Sequence, residues 1–217
     1  MDRSNVLARR RGLYAITDGP RADLLAGADA ALRGGAAILQ YRDKTADASR
    51  RHAEATTLLA LCRQRGAPLI VNDDVELAAA VGADGVHLGE DDASPAAARL
   101  RLGAGAIVGV SCYDDLDRAR SAAAAGADYL AFGAFFASPT KPQGRRATTD
   151  MLGAARPLGL PLVAIGGITP DNAAPLIAAG ADFLAVISGV FGAADPEQQA
   201  RRYAGLFADP NRRSHAR

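Results

Sequence analysis

The sequence has little of what marks several large classes of protein. Its 217 residues include only two cysteines, Cys62 and Cys112, which are too few for a disulfide framework and lack metal-ligand spacing. The formal net charge is +1, and both signs are spread along the chain, so nothing indicates a nucleic acid or an anionic membrane as partner. No long apolar run occurs, and the arginines of residues 1–12 precede no signal-peptide core. These absences predict a cytoplasmic protein.

What the chain does contain is a repeated pattern. Four times an alanine-rich, helix-like run ends in glycine and is followed by a short apolar segment, at residues 34–40, 82–88, 126–132 and 180–187. Glycine just past a helix can adopt the left-handed conformation that closes it. The apolar segments are too short for surface helices, so we interpret them as buried parallel strands.

The repeats are spaced at about twice the ~30 residues that one strand–helix unit needs. Four further strands are therefore expected between them, at residues 13–17, 68–72, 106–111 and 160–165, with helices such as 49–65 and 114–125 in the gaps. Eight alternating units predict an α/β fold, a single (β/α)₈ TIM barrel. We expect an N-terminal extension at 1–12, the catalytic barrel at 13–207 and a disordered tail at 208–217. An open doubly wound sheet is the structural alternative.

In such a barrel the chemistry lies at the C-terminal ends of the strands. The second strand leads into Gln40, Arg42 and Lys44, which can share one face of an extended backbone. Two cations and an amide at a pocket rim suit a polyanion such as diphosphate. A solvated strand end with ordinary charged residues remains the alternative.

Carboxylates follow the next two strands. The third strand ends in Asn72, Asp73 and Asp74, and the fourth leads through His87 to Asp92. Neighbouring carboxylates repel unless cations neutralise them, and Mg²⁺ prefers a few carboxylates together with substrate phosphate oxygens and water. The sequence therefore favours a metal site. Some of these residues could instead cap the helices that follow: Asp73 or Asp74 could cap Val75–Val81, and Ser94 could cap Pro95–Leu102.

The last three strand ends carry further candidates. A long loop after the sixth strand, at residues 133–147, contains Ser138, Thr140 and Lys141, and such loops often act as lids; an ordinary surface loop would look similar. The seventh strand ends in a glycine pair that includes Gly167, and the eighth ends in Ile187 and Ser188. The loops after these two strands are the usual phosphate site of the barrel.

The chain resembles the thiamine phosphate synthase family. The motifs of that family occur in order between residues 13 and 188: Leu-Tyr-x-Ile-Thr-Asp at 13–18, Gln-x-Arg-x-Lys at 40–44, Asn-Asp at 72–73, His-Leu-Gly-x-x-Asp at 87–92, Gly-Val-Ser at 109–111, a Thr-x-Thr-Lys-like loop at 138–141, Ile-Gly-Gly-Ile at 165–168 and Val-Ile-Ser at 186–188. The resemblance implies a barrel that joins an aminopyrimidine methyl diphosphate to a thiazole phosphate. Pyrophosphate is released, with carbon dioxide when the thiazole is a carboxylate.

The resemblance also implies roles for individual residues. Substrate binding falls to Gln40, Arg42, Lys44, Asn72, Ser111, Ser138, Thr140, Lys141, Gly167, Ile187 and Ser188. Within that set, Arg42, Lys44 and Lys141 are the catalytic residues, because they neutralise the departing diphosphate. Asp73 and Asp92 would hold Mg²⁺. The diphosphate leaves first and the thiazole nitrogen then attacks, so no nucleophile or general base is needed.

Two other functions remain open. A thiazole tautomerase would use the same barrel without the diphosphate and metal set, and a histidine is expected near its fifth strand end, where this chain has Cys112 and Tyr113. A non-catalytic phosphate-ligand sensor would keep the glycine loops without Lys44, Asp73 and Asp92 together. We interpret Cys112 as a packing residue. The expected partners are small-molecule substrates, and the sequence leaves open whether the chain forms a homo-oligomer.

Overall fold

Strand and helix alternate along the chain in the computed structural model, which describes residue 7 and residues 10–137 and 145–208. The strands are β1 (Gly12–Ile16), β2 (Ala36–Tyr41), β3 (Leu69–Asn72), β4 (Gly85–Leu88), β5 (Ile107–Tyr113), β6 (Tyr129–Phe132), β7 (Leu162–Ile165) and β8 (Phe183–Val186). The helices are α1 (Leu24–Arg33), α2 (Ala48–Arg65), α3 (Val75–Val81), α4 (Pro95–Leu102), α5 (Leu116–Ala124), α6 (Thr149–Ala155), α7 (Ala174–Ala178), α8 (Ser188–Phe191) and α9 (Pro196–Gly205), with a 3-10 turn at Arg156–Leu158.

The eight strands form a closed parallel barrel in chain order. Closure comes from the pairing of β1 with β8, in which Leu13 lies opposite Leu184 and Ala15 opposite Val186. The predicted (β/α)₈ barrel is confirmed, and the open doubly wound sheet is wrong. In the part of the chain that the structure describes, no helix is long and apolar enough to cross a membrane.

The repeated glycines end helices as predicted, with one exception. Gly82, Gly126 and Gly180 have positive φ angles of 68°, 88° and 108°. In the first repeat Gly34 is right-handed, and Gly35 has the positive φ, 96°. The helix bounds predicted at Pro95–Leu102 and Val75–Val81 agree with the structure, because a side-chain cap begins each helix and a glycine follows it.

An aspartate in three of the repeats sets where the strand that follows it begins. After the glycine and alanine, Asp84, Asp128 and Asp182 each hold the start of the preceding strand with two hydrogen bonds. The Asp128 Oδ2 accepts from Val108 N at 2.7 Å, and Asp128 N donates to Val108 O at 2.7 Å. The same pair of bonds joins Asp84 to Leu69 and Asp182 to Leu162. The strands therefore begin only after the aspartate, at Gly85, Tyr129 and Phe183.

The apolar core has two parts, as the alternation of strand side chains requires. The larger part lies between the outside of the barrel and the helices, and it includes Leu39, Val108 and Leu184. The smaller part fills the barrel interior, with Ile38, Ile70 and Phe183 among its members. Leu7, from the predicted N-terminal extension, is 1% exposed and belongs to this interior part. Residues 209–217 of the predicted tail lie outside the described residues.

Candidate active site

The predicted site residues of β2, β3 and β4 meet at the C-terminal edge of the barrel. The Lys44 ammonium lies 3.7 Å from Asp73 Oδ2, and the Asp92 carboxylate lies close enough to Asp73 to act on its pKa. The pKa of Asp73 is raised by burial and by the Asp92 carboxylate, while Lys44 and Arg42 oppose the rise. Two carboxylates and two cations therefore act on one another electrostatically at this rim.

The structure decides which carboxylates cap helices. Asp74 is the cap of α3, because its Oδ1 accepts from Leu77 N at 2.8 Å, and its other oxygen pairs with Arg51 at 2.8 Å. Ser94 caps α4 through Ala97 N at 3.2 Å. Asp73 caps no helix among the described residues and has a positive φ of 62°. Asp92 accepts from Gly89 N at 2.6 Å, within its own loop. The helix caps thus leave the Asp73 and Asp92 pair available to a ligand.

Arg42 is positioned by its backbone. The Thr17 hydroxyl accepts from Arg42 N at 2.8 Å and donates to Arg42 O at 3.1 Å, which ties the end of β2 to the end of β1. The next residue, Asp43, is buried and pairs with Arg50 at 2.7 Å. Within the described residues the Arg42 guanidinium makes no hydrogen bond or ion pair, so it is a cation available to an anionic ligand.

Strand alternation predicted that the side chains of Gln40 and Lys44 can share one face. In the structure they do not. Gln40 points into the barrel and is 2% exposed, whereas the Lys44 side chain is 65% exposed. The reason is that β2 ends at Tyr41, so the loop conformation, rather than the pleat, places Lys44. It nevertheless reaches the same rim through its contact with Asp73.

A polar layer inside the barrel was not predicted. Gln40 Nε2 donates to the Tyr14 hydroxyl at 2.7 Å, and the Tyr14 and Tyr129 hydroxyls are 2.8 Å apart. His87 then joins the Tyr129 hydroxyl through Nδ1 and Ser111 Oγ through Nε2, both at 2.9 Å. Burial lowers the pKa of His87 to about 4 and raises those of Tyr14 and Tyr129. All three side chains are therefore neutral at pH 7.

This layer had a signal in the sequence. Its members, namely Tyr14, Gln40, His87, Ser111 and Tyr129, all occupy inward-facing positions of predicted strands, where apolar residues are the norm. Polar side chains in such positions must find one another, because burying an unpaired polar group is costly. Tyr14, Gln40, His87 and Ser111 all lie in the family motifs, whereas Tyr129 lies in none of them, and the sequence predicted no role for Tyr14, His87 or Tyr129.

The remaining candidates lie at the ends of β7 and β8. Gly167 has a φ of 62°, and its carbonyl accepts from Asn172 Nδ2 at 3.0 Å. Ile187 directly precedes the short helix α8, whose first residue is Ser188. The Tyr203 hydroxyl donates to Ile168 O at 2.9 Å and so ties α9 to the loop after β7. Asn72 is partly exposed at the end of β3. Ser138, Thr140 and Lys141 lie outside the described residues.

Neither cysteine is chemically prominent. Both are buried, and burial raises the pKa of each thiol to about 12. Cys112 packs in the outer part of the core rather than in the barrel.

Among the described residues no group of three or more histidines, cysteines or carboxylates could hold a metal. A polar cavity of about 540 Å³ beside β5 is lined by Glu90, Asp115 and Arg145 among others, and by none of the predicted site residues.

Comparison with known proteins gives consistent results. A family model described as thiamine monophosphate synthase matches residues 13–190. The thiamine-phosphate synthase of Azoarcus sp. (strain BH72) is 59% identical over 203 residues, which cover 92% of this chain and 98% of that protein. The thiamine-phosphate synthase of Thiobacillus denitrificans is 57% identical over 200 residues, or 91% and 95% of the two chains. A solved thiamine phosphate pyrophosphorylase from Pyrococcus furiosus is 35% identical, with a TM-score of 0.83 over 92% of this chain and 96% of that one.

Proposed function

Since the chain belongs to the thiamine monophosphate synthase family and is a transferase of thiamine biosynthesis, we propose that it joins an aminopyrimidine methyl diphosphate to a thiazole phosphate. The products are thiamine phosphate and pyrophosphate, with carbon dioxide when the thiazole carries a carboxylate. The observation that supports this reaction is the grouping of charges around Asp73 at the rim: Lys44 lies 3.7 Å from its carboxylate, and Asp92 and Arg42 both act on its pKa.

The carboxylate pair suits Mg²⁺. Burial and the Asp92 carboxylate together raise the pKa of Asp73, so the charged form of Asp73 is favoured only when a cation lies close to it. A closed protein cage would need more ligands, whereas Mg²⁺ usually binds one or two carboxylates and completes its shell with water and substrate phosphates. When bound by Asp73 and Asp92, the ion would neutralise charge on the diphosphate.

The chain's own cations do the rest of that neutralisation. Lys44 lies beside Asp73, and the charge of Arg42 also acts on that carboxyl group. Both cations stabilise the negative charge that grows on the diphosphate as the carbon–oxygen bond breaks. Lys141 is assigned the same role by the family resemblance. Asn72, at the end of β3, is an amide donor for the same diphosphate. The effect is electrostatic, so these residues need fixed positions rather than shifted proton affinities.

The second substrate binds across the barrel mouth. Gly167, Ile187 and Ser188 hold its phosphate through backbone and hydroxyl donors at the ends of β7 and β8, and the resemblance adds Ser138 and Thr140. Gln40 and Ser111 contact the pyrimidine on the floor of the site. The thiazole nitrogen then forms the new bond to the methylene carbon that the diphosphate has left, which requires placement more than activation.

No covalent intermediate is part of this reaction. Burial raises the pKa of the Cys62 and Cys112 thiols to about 12, which disfavours the thiolate at neutral pH. Cys112 also faces the helices rather than the site. A tautomerase would need a group at the end of β5 that moves protons, and this buried thiol does not suit that task.

The test is a defined reaction mixture. Purified protein with aminopyrimidine methyl diphosphate, thiazole carboxylate phosphate and Mg²⁺ should form thiamine phosphate and release equal amounts of pyrophosphate and carbon dioxide. Chelating the metal should stop all three, and adding Mg²⁺ back should restore them. Interconversion of thiazole isomers without Mg²⁺, and without pyrophosphate, would instead identify a tautomerase. Ligand binding without any turnover would identify a sensor.

A further inference from the structure

We propose that Tyr14, Tyr129 and His87 are positioning residues, which form a one-way chain of hydrogen bonds that makes the Ser111 hydroxyl a donor to the substrate. This chain of hydrogen bonds crosses the barrel from β1 and β2 to β4, β5 and β6. It begins at Gln40 and ends at Ser111, both of which are substrate-binding residues in the proposed function. Only this last link, to the substrate, depends on that function.

The direction follows from counting protons. Gln40 Nε2 can only donate, so the Tyr14 hydroxyl accepts from it at 2.7 Å. The single proton of Tyr14 then goes to Tyr129, 2.8 Å away. Tyr129 has thereby become an acceptor, and its own proton goes to His87 Nδ1 at 2.9 Å. A proton on Nδ1 would leave one of the two buried tyrosines without an acceptor, which costs about 1–3 kcal/mol.

The consequence appears at the other side of the imidazole ring. With Nδ1 accepting, neutral His87 carries its proton on Nε2, which lies 2.9 Å from Ser111 Oγ. Ser111 therefore accepts from His87, and its own proton is directed elsewhere. His87 cannot take that proton as a general base. The serine is left as a donor that suits a ligand atom with a lone pair, such as the ring nitrogen of an aminopyrimidine.

Packing holds the chain in this geometry. The imidazole of His87 stacks on the Tyr129 ring, with centroids 5.6 Å apart and planes inclined by 16°, and Tyr14 meets the same ring edge-on at 5.9 Å. The intervening strand contributes Gly109, where an added Cβ would lie 1.9 Å from the Tyr129 ring. The glycine lets the tyrosine lie flat across β5 and reach the histidine.

The direct test reads the tautomer of His87 by ¹⁵N NMR of the full-length protein, without substrate or metal. The protein has three histidines, so the one set of imidazole ¹⁵N signals that is lost in His87→Gln belongs to His87. We expect an unprotonated Nδ1 and a protonated Nε2 in the wild-type protein. In Tyr129→Phe, which removes the hydroxyl that donates to Nδ1, the Nδ1–H form should appear beside it.

Tyr41→Phe is the matched control. It removes another buried tyrosine hydroxyl, one that donates to Glu54 at 2.7 Å on the outer side of the barrel, and it should leave the His87 tautomer unchanged. An Nδ1–H tautomer in the wild-type protein would mean that the hydrogen bonds do not run from Gln40 towards Ser111, and the proposal would be wrong. A purely Nε2–H histidine in folded Tyr129→Phe would remove Tyr129 from the mechanism. If that variant does not fold, the wild-type spectrum alone still decides the direction.

Kinetics test the link to the substrate. Tyr129→Phe should raise KM for the pyrimidine diphosphate about three- to tenfold, the effect of weakening one hydrogen bond, and leave KM for the thiazole phosphate unchanged. Equal changes in both constants would indicate a general structural defect and would contradict the positioning role. The spectrum needs no turnover, so a failed tautomer prediction and a failed synthase assay are separate results.

Discussion

At the scale of single residues, neighbouring positions with the same chemistry have different tasks. Asp73 and Asp74 are adjacent carboxylates, yet Asp74 caps α3 and pairs with Arg51, whereas Asp73 faces Asp92 and Lys44. Asp74 satisfies a backbone N–H of the helix, whereas Asp73 is held near the Asp92 carboxylate at an electrostatic cost. A residue kept in such a position is more consistent with ligand binding than with stability.

Asp73→Asn and Asp92→Asn should each lower kcat on the order of 100-fold, because each removes a charged ligand for the ion that neutralises the leaving group. Neither should lower the melting temperature. Steady-state rates over a range of Mg²⁺ concentrations measure the effect. Asp74→Asn is the control, since asparagine still caps the helix, and it should keep near-normal rates. Near-wild-type activity of both site variants at limiting Mg²⁺ would contradict the metal role.

Gly109→Ala should be strongly destabilising, because its Cβ would lie 1.9 Å from the Tyr129 ring. Overpacking of this kind costs about 1–3 kcal/mol or more in unfolding free energy. Gly153→Ala is the matched control: this glycine lies in α6 with nothing within 4 Å of an added Cβ, so alanine should stabilise by about 0.5–1 kcal/mol. Urea denaturation of both variants measures the difference, and equal midpoints would show that Tyr129 moves away without cost.

At the scale of elements, the aspartate of each glycine–alanine–aspartate repeat links strands that belong to different units. Asp128 accepts from Val108 N, donates its own N–H to Val108 O, and is also bound by Arg99 at 2.7 Å. Three repeats share the paired bonds to the preceding strand. At β3, β5 and β7, therefore, a carboxylate from the next strand's start closes the first backbone bonds of the strand.

Asp128→Ala should lower the free energy of unfolding by about 1–3 kcal/mol, because it leaves the Val108 N–H without its side-chain acceptor. Asp117→Ala serves for comparison, since the Asp117 side chain is 90% exposed and pairs with Arg120 on the surface, where ion pairs contribute about 0–1 kcal/mol. Chemical denaturation would measure both. A larger loss in Asp117→Ala would show that the repeat aspartate is not a structural clamp.

At the scale of the whole molecule, stability and chemistry lie at opposite ends of the barrel. The predicted ligands gather at the C-terminal edge. At the N-terminal edge, Leu7 is buried in the interior core, and Arg10 donates to Ala37 O and Gly66 O at 3.3 and 2.8 Å. Residues that precede β1 therefore help to close the lower end of the barrel.

Leu7→Ala should lower the free energy of unfolding by about 2–4 kcal/mol through lost burial and an unfilled cavity. KM for both substrates should be unchanged, because the substitution lies at the end of the barrel away from the site. Leu100→Ala is the control, as Leu100 is 89% exposed and its replacement should change stability by less than about 0.5 kcal/mol. An altered KM in Leu7→Ala would show that the two ends are coupled.

Much of this molecule follows from its sequence alone. The glycine repeats and their spacing predicted eight strand–helix units, and the ordered motifs from residue 13 to residue 188 identified the family. Caps and closing glycines set the bounds of α3 and α4 correctly. These features depend on residues close together in the chain, where backbone conformation and periodicity act directly.

Contacts between residues far apart in the sequence could be identified only from the tertiary structure. Whether Asp73 or Asp74 caps a helix depends on one φ angle and on Arg51, which lies in another helix. Tyr14 and Tyr129 are 115 positions apart, and only barrel closure brings their hydroxyls together. A sequence shows that a polar side chain faces inward, but its partner depends on which strands become neighbours and on how far a ring reaches across a glycine between them.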